Sequence, residues 1–207
     1  MTINLGILIS GRGSNMNAIL AAAKAGRMPG VRPAVVISNK PDAAGLKTAS
    51  EKYGIKTKTI LPEGAKGWDY DRKVVRALEE AGVTPDDGLV CLAGFMRIIS
   101  PEFVRHYKMR ILNIHPALLP SFPGLHAQKQ AIEYGSKVSG CTVHFVDEGI
   151  DSGPVILQKT VPVMEGDSEE TLSAKILEQE HRAYPEAVKL FAEDRLKIEG
   201  RKVRVLL

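Results

Sequence analysis

The sequence predicts an α/β fold: a mainly parallel sheet flanked by helices, with an antiparallel C-terminal part. Three observations predict it. In the first half of the 207 residues, short apolar runs alternate with helix-length segments, the βαβα order of a parallel sheet. A glycine-rich turn, Ser10-Gly11-Arg12-Gly13-Ser14-Asn15, follows the first apolar run directly. In the second half, two strand-like stretches are joined by a short polar turn, a connection that suits antiparallel neighbours.

Each element follows from local pattern. Ile3–Ile9 reads as a buried strand, and Ser14–Gly26 as a helix with Ser14 as its N-cap. Ala34–Ile37 is strand, about Ala43–Tyr53 helix and Lys56–Ile60 strand. Tyr70–Ala81 is a helix closed by Gly82, and Gly88–Ala93 a strand. A short helix near Pro101–Tyr107 leads into the strand Ile111–His115, and a Pro/Gly-rich loop covers 116–124. Then come a helix at about Ala127–Tyr134 and the two strands Ser139–Asp147 and Val155–Val163. A long helix, about Ser168–Phe191, is expected to kink or break before Pro185 and to end the regular structure. One domain over residues 1–207 is the simplest organisation, with the functional cleft where its halves, about 1–100 and 101–207, meet.

Composition narrows the function classes. Hydrophobic residues make up 44% and charged residues 25%, an ordinary globular balance. No apolar run is long enough to span a bilayer, and the first ten residues lack the basic start and cleavage site of a signal peptide. Cys91 and Cys141 both sit in apolar strand-like runs, so reduced, buried thiols in a cytoplasmic protein are expected. The net charge of +4, with a pI near 9.0, fits anionic small molecules as ligands and also weak nucleic-acid affinity, but the basic residues are scattered except at the C-terminal tail (Arg201, Lys202, Arg204) and read mostly as a solvated surface. Neither nucleic acid nor membrane is an expected partner.

The glycine turn suits a phosphate. Glycines let the backbone approach an anion, and free N–H groups at the helix start point toward it. A dinucleotide fingerprint fails, because Met16 stands at the third glycine position and the second strand ends without an acidic residue for a ribose. The lysine of a P-loop is missing too. A monophosphate therefore fits Gly13, Ser14 and Asn15 better than NAD or ATP, and a tight turn with no ligand is the alternative.

The reaction centre is expected at Asn113-Ile114-His115-Pro116. Asn113 and His115 are two apart on a strand, so their side chains share a face at its C-terminal end. Acyl transfer to an amine develops an oxyanion. An amide donor (Asn113) can hold it, and an imidazolium (His115) can stabilise it and protonate the leaving nitrogen. A carboxylate is then needed to raise the histidine pKa, and Asp151, in a turn that can bend over the sheet ends, is the best candidate. A strand-end histidine bonded to a carbonyl is the competing reading of His115. His106, His126, His144 and His181 have no metal spacing, His144 reads as structural, and no metal site is expected.

Several motifs occur together and in order: Ser-Gly-Arg-Gly-Ser-Asn (10–15), Leu-Ala-Gly-Phe-Met-Arg-Ile (92–98), Asn-Ile-His-Pro-Ala-Leu-Leu-Pro (113–120), Val-His-Phe-Val (143–146), Asp-Ser-Gly-Pro-Val-Ile (151–156) and Gln-Glu-His (179–181). In this combination the chain resembles the phosphoribosylglycinamide formyltransferases over nearly its whole length. The resemblance implies a single-domain, Rossmann-like formyltransferase fold. It implies transfer of the formyl group of 10-formyltetrahydrofolate, a co-substrate, to the amine of glycinamide ribonucleotide in purine biosynthesis, by a cytoplasmic monomer or homodimer.

By the same resemblance, Gly13, Ser14 and Asn15 bind the ribonucleotide phosphate and Glu180 holds the ribonucleotide. Met96, Arg97, Ile98 and Ile99 line the folate cleft, and backbone groups of Leu92, Ala93 and Gly94 read the pterin. Asp147, Glu148, Gly149 and Ile150, together with Asp151, wall the same pocket. Two departures stand out. Ala117 replaces a common serine. The arginine that often precedes Tyr-Asp-Arg (here 70–72) and contacts the folate is missing near Gly67, where Lys66 supplies charge without the fork geometry.

Formyltetrahydrofolate hydrolase is the nearest alternative. It resembles this core but carries an extra N-terminal domain, whereas here Met1 begins almost at the first strand. Methionyl-tRNA formyltransferase adds a C-terminal RNA-binding domain. A catalytically silent nucleotide-binding module is the alternative from another class, favoured only if His115 or Asp151 were missing.

Overall fold

A computed structural model describes residues 2–206. Nine strands form one sheet in the order β3-β2-β1-β4-β5-β6-β7-β9-β8. Its first five positions, β3 (Lys56–Thr59), β2 (Val31–Ser38), β1 (Ile3–Ile9), β4 (Gly88–Leu92) and β5 (Ile111–His115), are parallel. β6 (Val138–Phe145) continues the sheet antiparallel to β5, and β7 (Val155–Pro162) lies antiparallel to β6, as the short 146–154 connection demands. The α/β class and the antiparallel C-terminal part are as expected from sequence.

All residues of β1 and β4 are buried, because helices cover both faces of the parallel part. Side-chain alternation divides the core in two. Leu5, Ile7 and Ile9 pack with α1 (Ser14–Lys24), α5 (Ala127–Tyr134) and α6 (Glu169–Ala192). Leu8 and Val90 pack on the other face with α3 (Trp68–Glu80) and α4 (Pro101–His106). Cys91 and Cys141 are free thiols inside the first cluster, where burial pushes both up to about 12.

Five sequence expectations need correction. Gly13, not Ser14, is the N-cap of α1, because the turn requires a left-handed residue (φ 68°), which glycine adopts without strain. β2 begins at Val31, its Pro33 accommodated where the register to β1 shifts. The helix after β2 is α-helical only over α2 (Ala44–Lys47) and continues as a π-helical turn over Thr48–Lys52. α6 neither breaks nor ends at Pro185: it runs on as one element, because Ala183, Tyr184, Ala187, Val188 and Leu190 stay buried on both sides of the proline. Its start is a capping box in which Ser168 and Thr171 exchange side-chain to backbone bonds. Nor does α6 end the regular structure. The chain turns through a hairpin of β8 (Leu196–Glu199) and β9 (Lys202–Val205), and β9 meets β7 at Val155 and Lys202.

Strand order places β2 on one side of β1 and β4 on the other. The segments leaving β1, β4 and β5 therefore open into a common crevice at the C-terminal edge. Ser10 ties two of them together: its N–H donates to Gly94 O (3.0 Å), and its Oγ accepts from Met96 N (2.7 Å) and donates to Asn39 Oδ1 (2.6 Å). No helix among the described residues is long and apolar enough to cross a membrane.

Candidate active site

β5 carries Asn113 and His115 to the crevice, and both side chains point to one face, as period-two geometry requires. The 147–153 turn brings Asp151 over the strand end. Asp147 shapes this turn, its Oδ1 accepting from Gly149 N (3.1 Å) and Ser152 Oγ (2.6 Å). Asp151 itself takes a positive φ of 47°.

The three expected residues converge. Asp151 Oδ2 lies 3.3 Å from His115 Nδ1, and Asp151 Oδ1 accepts from Asn113 Nδ2 at 3.4 Å. The 116–124 loop closes over them: Gly124 N donates to Asp151 Oδ2 (2.8 Å) and Phe122 O lies 2.8 Å from His115 Nε2. Thr142 holds the loop's first residues, donating to Ala117 O (2.7 Å) and accepting from Leu119 N (3.0 Å). The substituted Ala117 is fully buried beneath it.

His144 joins this group, contrary to its reading as structural. It is the β6 partner of Asn113 in the antiparallel register. Its Nδ1 lies 2.8 Å from Phe145 O and its Nε2 lies 3.2 Å from Asn113 Nδ2. That same Nε2 is 3.7 Å from Asp151 Oδ1. Burial works to raise the Asp151 carboxyl. The His144 ring, the Gly124 N–H and the His115 ring outweigh it and hold the group below its ordinary value.

The glycine turn follows β1 at the same edge of the sheet. Gly13 O accepts from Asn17 N (2.8 Å), which leaves the first N–H groups of α1 without partners inside the helix. Gly45 packs directly beneath, its N–H donating to Gly11 O at 3.1 Å. Asn15 Nδ2 donates to Glu180 Oε2 (2.7 Å), while the buried Asn15 Oδ1 has no partner among the described residues. Glu180 is buried. Desolvation pushes its carboxyl up, against the Asn15 bond, so Glu180 is no solvated helix charge.

The expected folate-side residues divide by exposure. Met96 (68% exposed), Ile98 (80%) and Ile150 (65%) present apolar side chains to solvent near the crevice. Phe95 and Ile99 turn inward to the second core cluster. Leu92 and Ala93 are buried, and several backbone groups there are engaged: Leu92 O with Tyr184 Oη (3.0 Å), Ala93 N with Leu8 O (2.9 Å) and Gly94 O with Ser10 N. Glu148 pairs with Arg105 (3.0 Å) at the surface. Gly149 and Lys66 are exposed, and no ion pair among the described residues includes Lys66. No cluster of three metal-ligating side chains occurs among the described residues.

A strand-borne Asn-x-His faces a carboxylate beside a glycine turn, an arrangement whose amide and ring N–H groups can stabilise a developing oxyanion. The formyl transferase profile matches residues 3–188. The chain belongs to the formyl transferase family. Phosphoribosylglycinamide formyltransferase of Escherichia coli is 47% identical over 197 residues, 95% of this chain and 90% of that protein. The crystal structure of glycinamide ribonucleotide transformylase 1 from Symbiobacterium toebii superposes with a TM-score of 0.94 at 51% identity, over 100% of this chain and 95% of that one. A formyltetrahydrofolate deformylase from Pseudomonas syringae pv. tomato is similar at a TM-score of 0.90 but 26% identity, over 100% of this chain and 67% of that one.

Sequence reasoning missed two parts of this formyl transferase's site. His144 takes its place from the β5–β6 register, which sets it opposite Asn113 and which local sequence pattern does not specify. Gly45 had no signal, because its closeness to Gly11 arises only when α2 packs on the turn.

Proposed function

We propose that this formyl transferase moves the formyl group of 10-formyltetrahydrofolate to the amine of glycinamide ribonucleotide, a step of purine biosynthesis. The observation that carries the reading is the convergence of Asn113, His115 and Asp151 on one strand end. Relatives named for this activity, alike over nearly the whole chain, support the choice of substrates.

The chemistry follows from the geometry. As the amine attacks the formyl carbon, negative charge builds on the formyl oxygen. Asn113 Nδ2 can turn one N–H to that oxygen in exchange for its longer contact, the 3.4 Å one to Asp151. His115 stands ready to pass a proton to the departing nitrogen. Asp151, at 3.3 Å from its other ring nitrogen, offsets the positive charge that the ring carries in that step. The amine's own proton leaves to base or water, which balances the transfer.

In this reading residues 1–207 form one domain. Its first half binds the ribonucleotide phosphate through Gly13, Ser14 and Asn15, and Glu180 holds the rest of that substrate. Met96, Ile98 and Ile150 give the folate an apolar cleft, with Leu92, Ala93, Gly94, Arg97, Ile99, Asp147, Glu148 and Gly149 as its frame and Lys66 as a nearby charge. The exposed Met96, Ile98 and Ile150 side chains fit such a flat aromatic group. The enzyme acts in the cytoplasm as a monomer or homodimer, on small molecules.

The reading is tested with donor carrying ¹³C in its formyl group. The label is expected on the ribonucleotide nitrogen as a formamide. Label found as free formate instead would favour the hydrolase.

A further inference from the structure

The Tyr70-Asp71-Arg72 segment at the start of α3 takes no part in the chemistry above, yet two of its side chains are buried and hydrogen-bonded. Tyr70 donates from its hydroxyl to Ile60 O at 3.0 Å. Asp71 is 2% exposed, and its Oδ2 accepts from the backbone N–H of Ser100 at 2.6 Å.

Ser100 is the N-cap of α4, with its Oγ accepting from Phe103 N at 3.3 Å. In a capping box, a Glu or Gln three residues on would reach back to the N-cap N–H. Phe103 occupies that position and cannot. Asp71 supplies the missing acceptor from another helix. Burial raises the Asp71 carboxyl, and the Ser100 bonds and the charge of Arg97 work against it.

Arg97 provides a second grip on the same segment. Its guanidinium stacks 4.1 Å from the centre of the Tyr70 ring and donates through Nη2 to Ala65 O at 3.1 Å. Its Nε is buried, with no partner among the described residues. Arg97 therefore faces the protein and joins the 61–67 turn to the 94–100 segment. On either side of Arg97, Met96 and Ile98 point outward.

We infer that Asp71 and Arg97 are positioning residues for the folate side of the reaction, fixing residues 94–100 so that Met96 and Ile98 face the donor. The inference rests on the formyl-transfer reading and deepens it. The Tyr-Asp pair with Arg97 forms a clamp beneath the cleft, and Arg97 works there as a strut rather than as a cation offered to the folate.

Steady-state kinetics of the full chain test this, with both substrates varied, for Asp71→Ala, Asp71→Asn and Arg97→Ala. In Asp71→Ala and Arg97→Ala the KM for 10-formyltetrahydrofolate is expected to rise roughly tenfold, while kcat and the KM for glycinamide ribonucleotide stay within about twofold. Asp71→Asn is expected to recover most of the donor affinity, because its amide oxygen still accepts from Ser100. A donor KM that does not move, a loss confined to kcat, or equal changes in both KM values would overturn the inference. So would Asp71→Asn behaving like Asp71→Ala. Should Asp71→Ala fail to fold, Arg97→Ala and Asp71→Asn decide by the same criteria. Active wild type with an unmoved donor KM in the variants rejects the clamp alone. Wild type that never consumes donor rejects the formyl-transfer reading and the inference with it.

Discussion

Asp151 Oδ2 lies 3.3 Å from Nδ1 of His115, while the same carboxylate receives the Gly124 N–H at 2.8 Å. One acid thus orients the histidine and anchors the loop that covers it. The remaining ring nitrogen of His115 meets another atom of that loop, Phe122 O. Loop, acid and histidine therefore form one unit, and the predictions concern what each part contributes.

Removing the reacting groups should cost rate rather than fold. His115→Ala and Asn113→Ala are each expected to lower kcat by roughly 10²-fold or more. Their circular dichroism should match wild type. A near-normal kcat in purified His115→Ala would remove the histidine from the mechanism.

Asp151 should mark the acid side of stability. Its carboxyl is held below its ordinary value of 3.8 in the folded protein. Folding therefore gains from the ionised form above that value, and the gain is lost as pH falls through the lower folded value. Thermal midpoints measured from about pH 6 to about pH 2 should show the gap between wild type and Asp151→Asn shrinking at the acid end. A gap independent of pH would contradict the assignment.

Gly45 should matter through the turn it supports. A Cβ there would stand 2.5 Å from Ile9 Cδ1, 3.1 Å from Gly11 O and 3.2 Å from Arg12 O. Gly45→Ala is expected to destabilise by about 1–3 kcal/mol and to raise the KM for the ribonucleotide. The donor KM should stay put. Equal loss for both substrates would point to general damage instead.

Ribonucleotide binding should also be visible directly at the glycine turn. Amides of residues 13–15 are expected to exchange more slowly with deuterium when glycinamide ribonucleotide is present, because their N–H groups would bond its phosphate. Unchanged exchange there would count against the cradle.

Much of this was legible in the sequence, and the exceptions share a physical cause. The buried runs of β1 and β4, the period-two pairing of Asn113 with His115 and the antiparallel β6–β7 pair follow from local pattern. Ser14 looked like a cap because capping statistics favour serine. The turn's left-handed backbone gave that position to Gly13. Pro185 looked like a kink or break in the helix because it lacks an N–H. Its buried neighbours, including Tyr184 bonded to Leu112 O at 2.8 Å, kept the helix whole. The β8–β9 hairpin does alternate apolar and charged residues (Leu196, Ile198, Val203, Val205), but each strand has only four residues, too short a run for the period to stand out. His144 and Gly45 gain their roles only from contacts between distant segments.

The central claim is that this site hands a formyl group to an amine. Its most direct test is to follow the folate absorbance while the protein is mixed with 10-formyltetrahydrofolate, with and without glycinamide ribonucleotide. Donor consumption that begins only when the ribonucleotide is added is the predicted result. Consumption at the same rate without it, or none with it, would contradict the account.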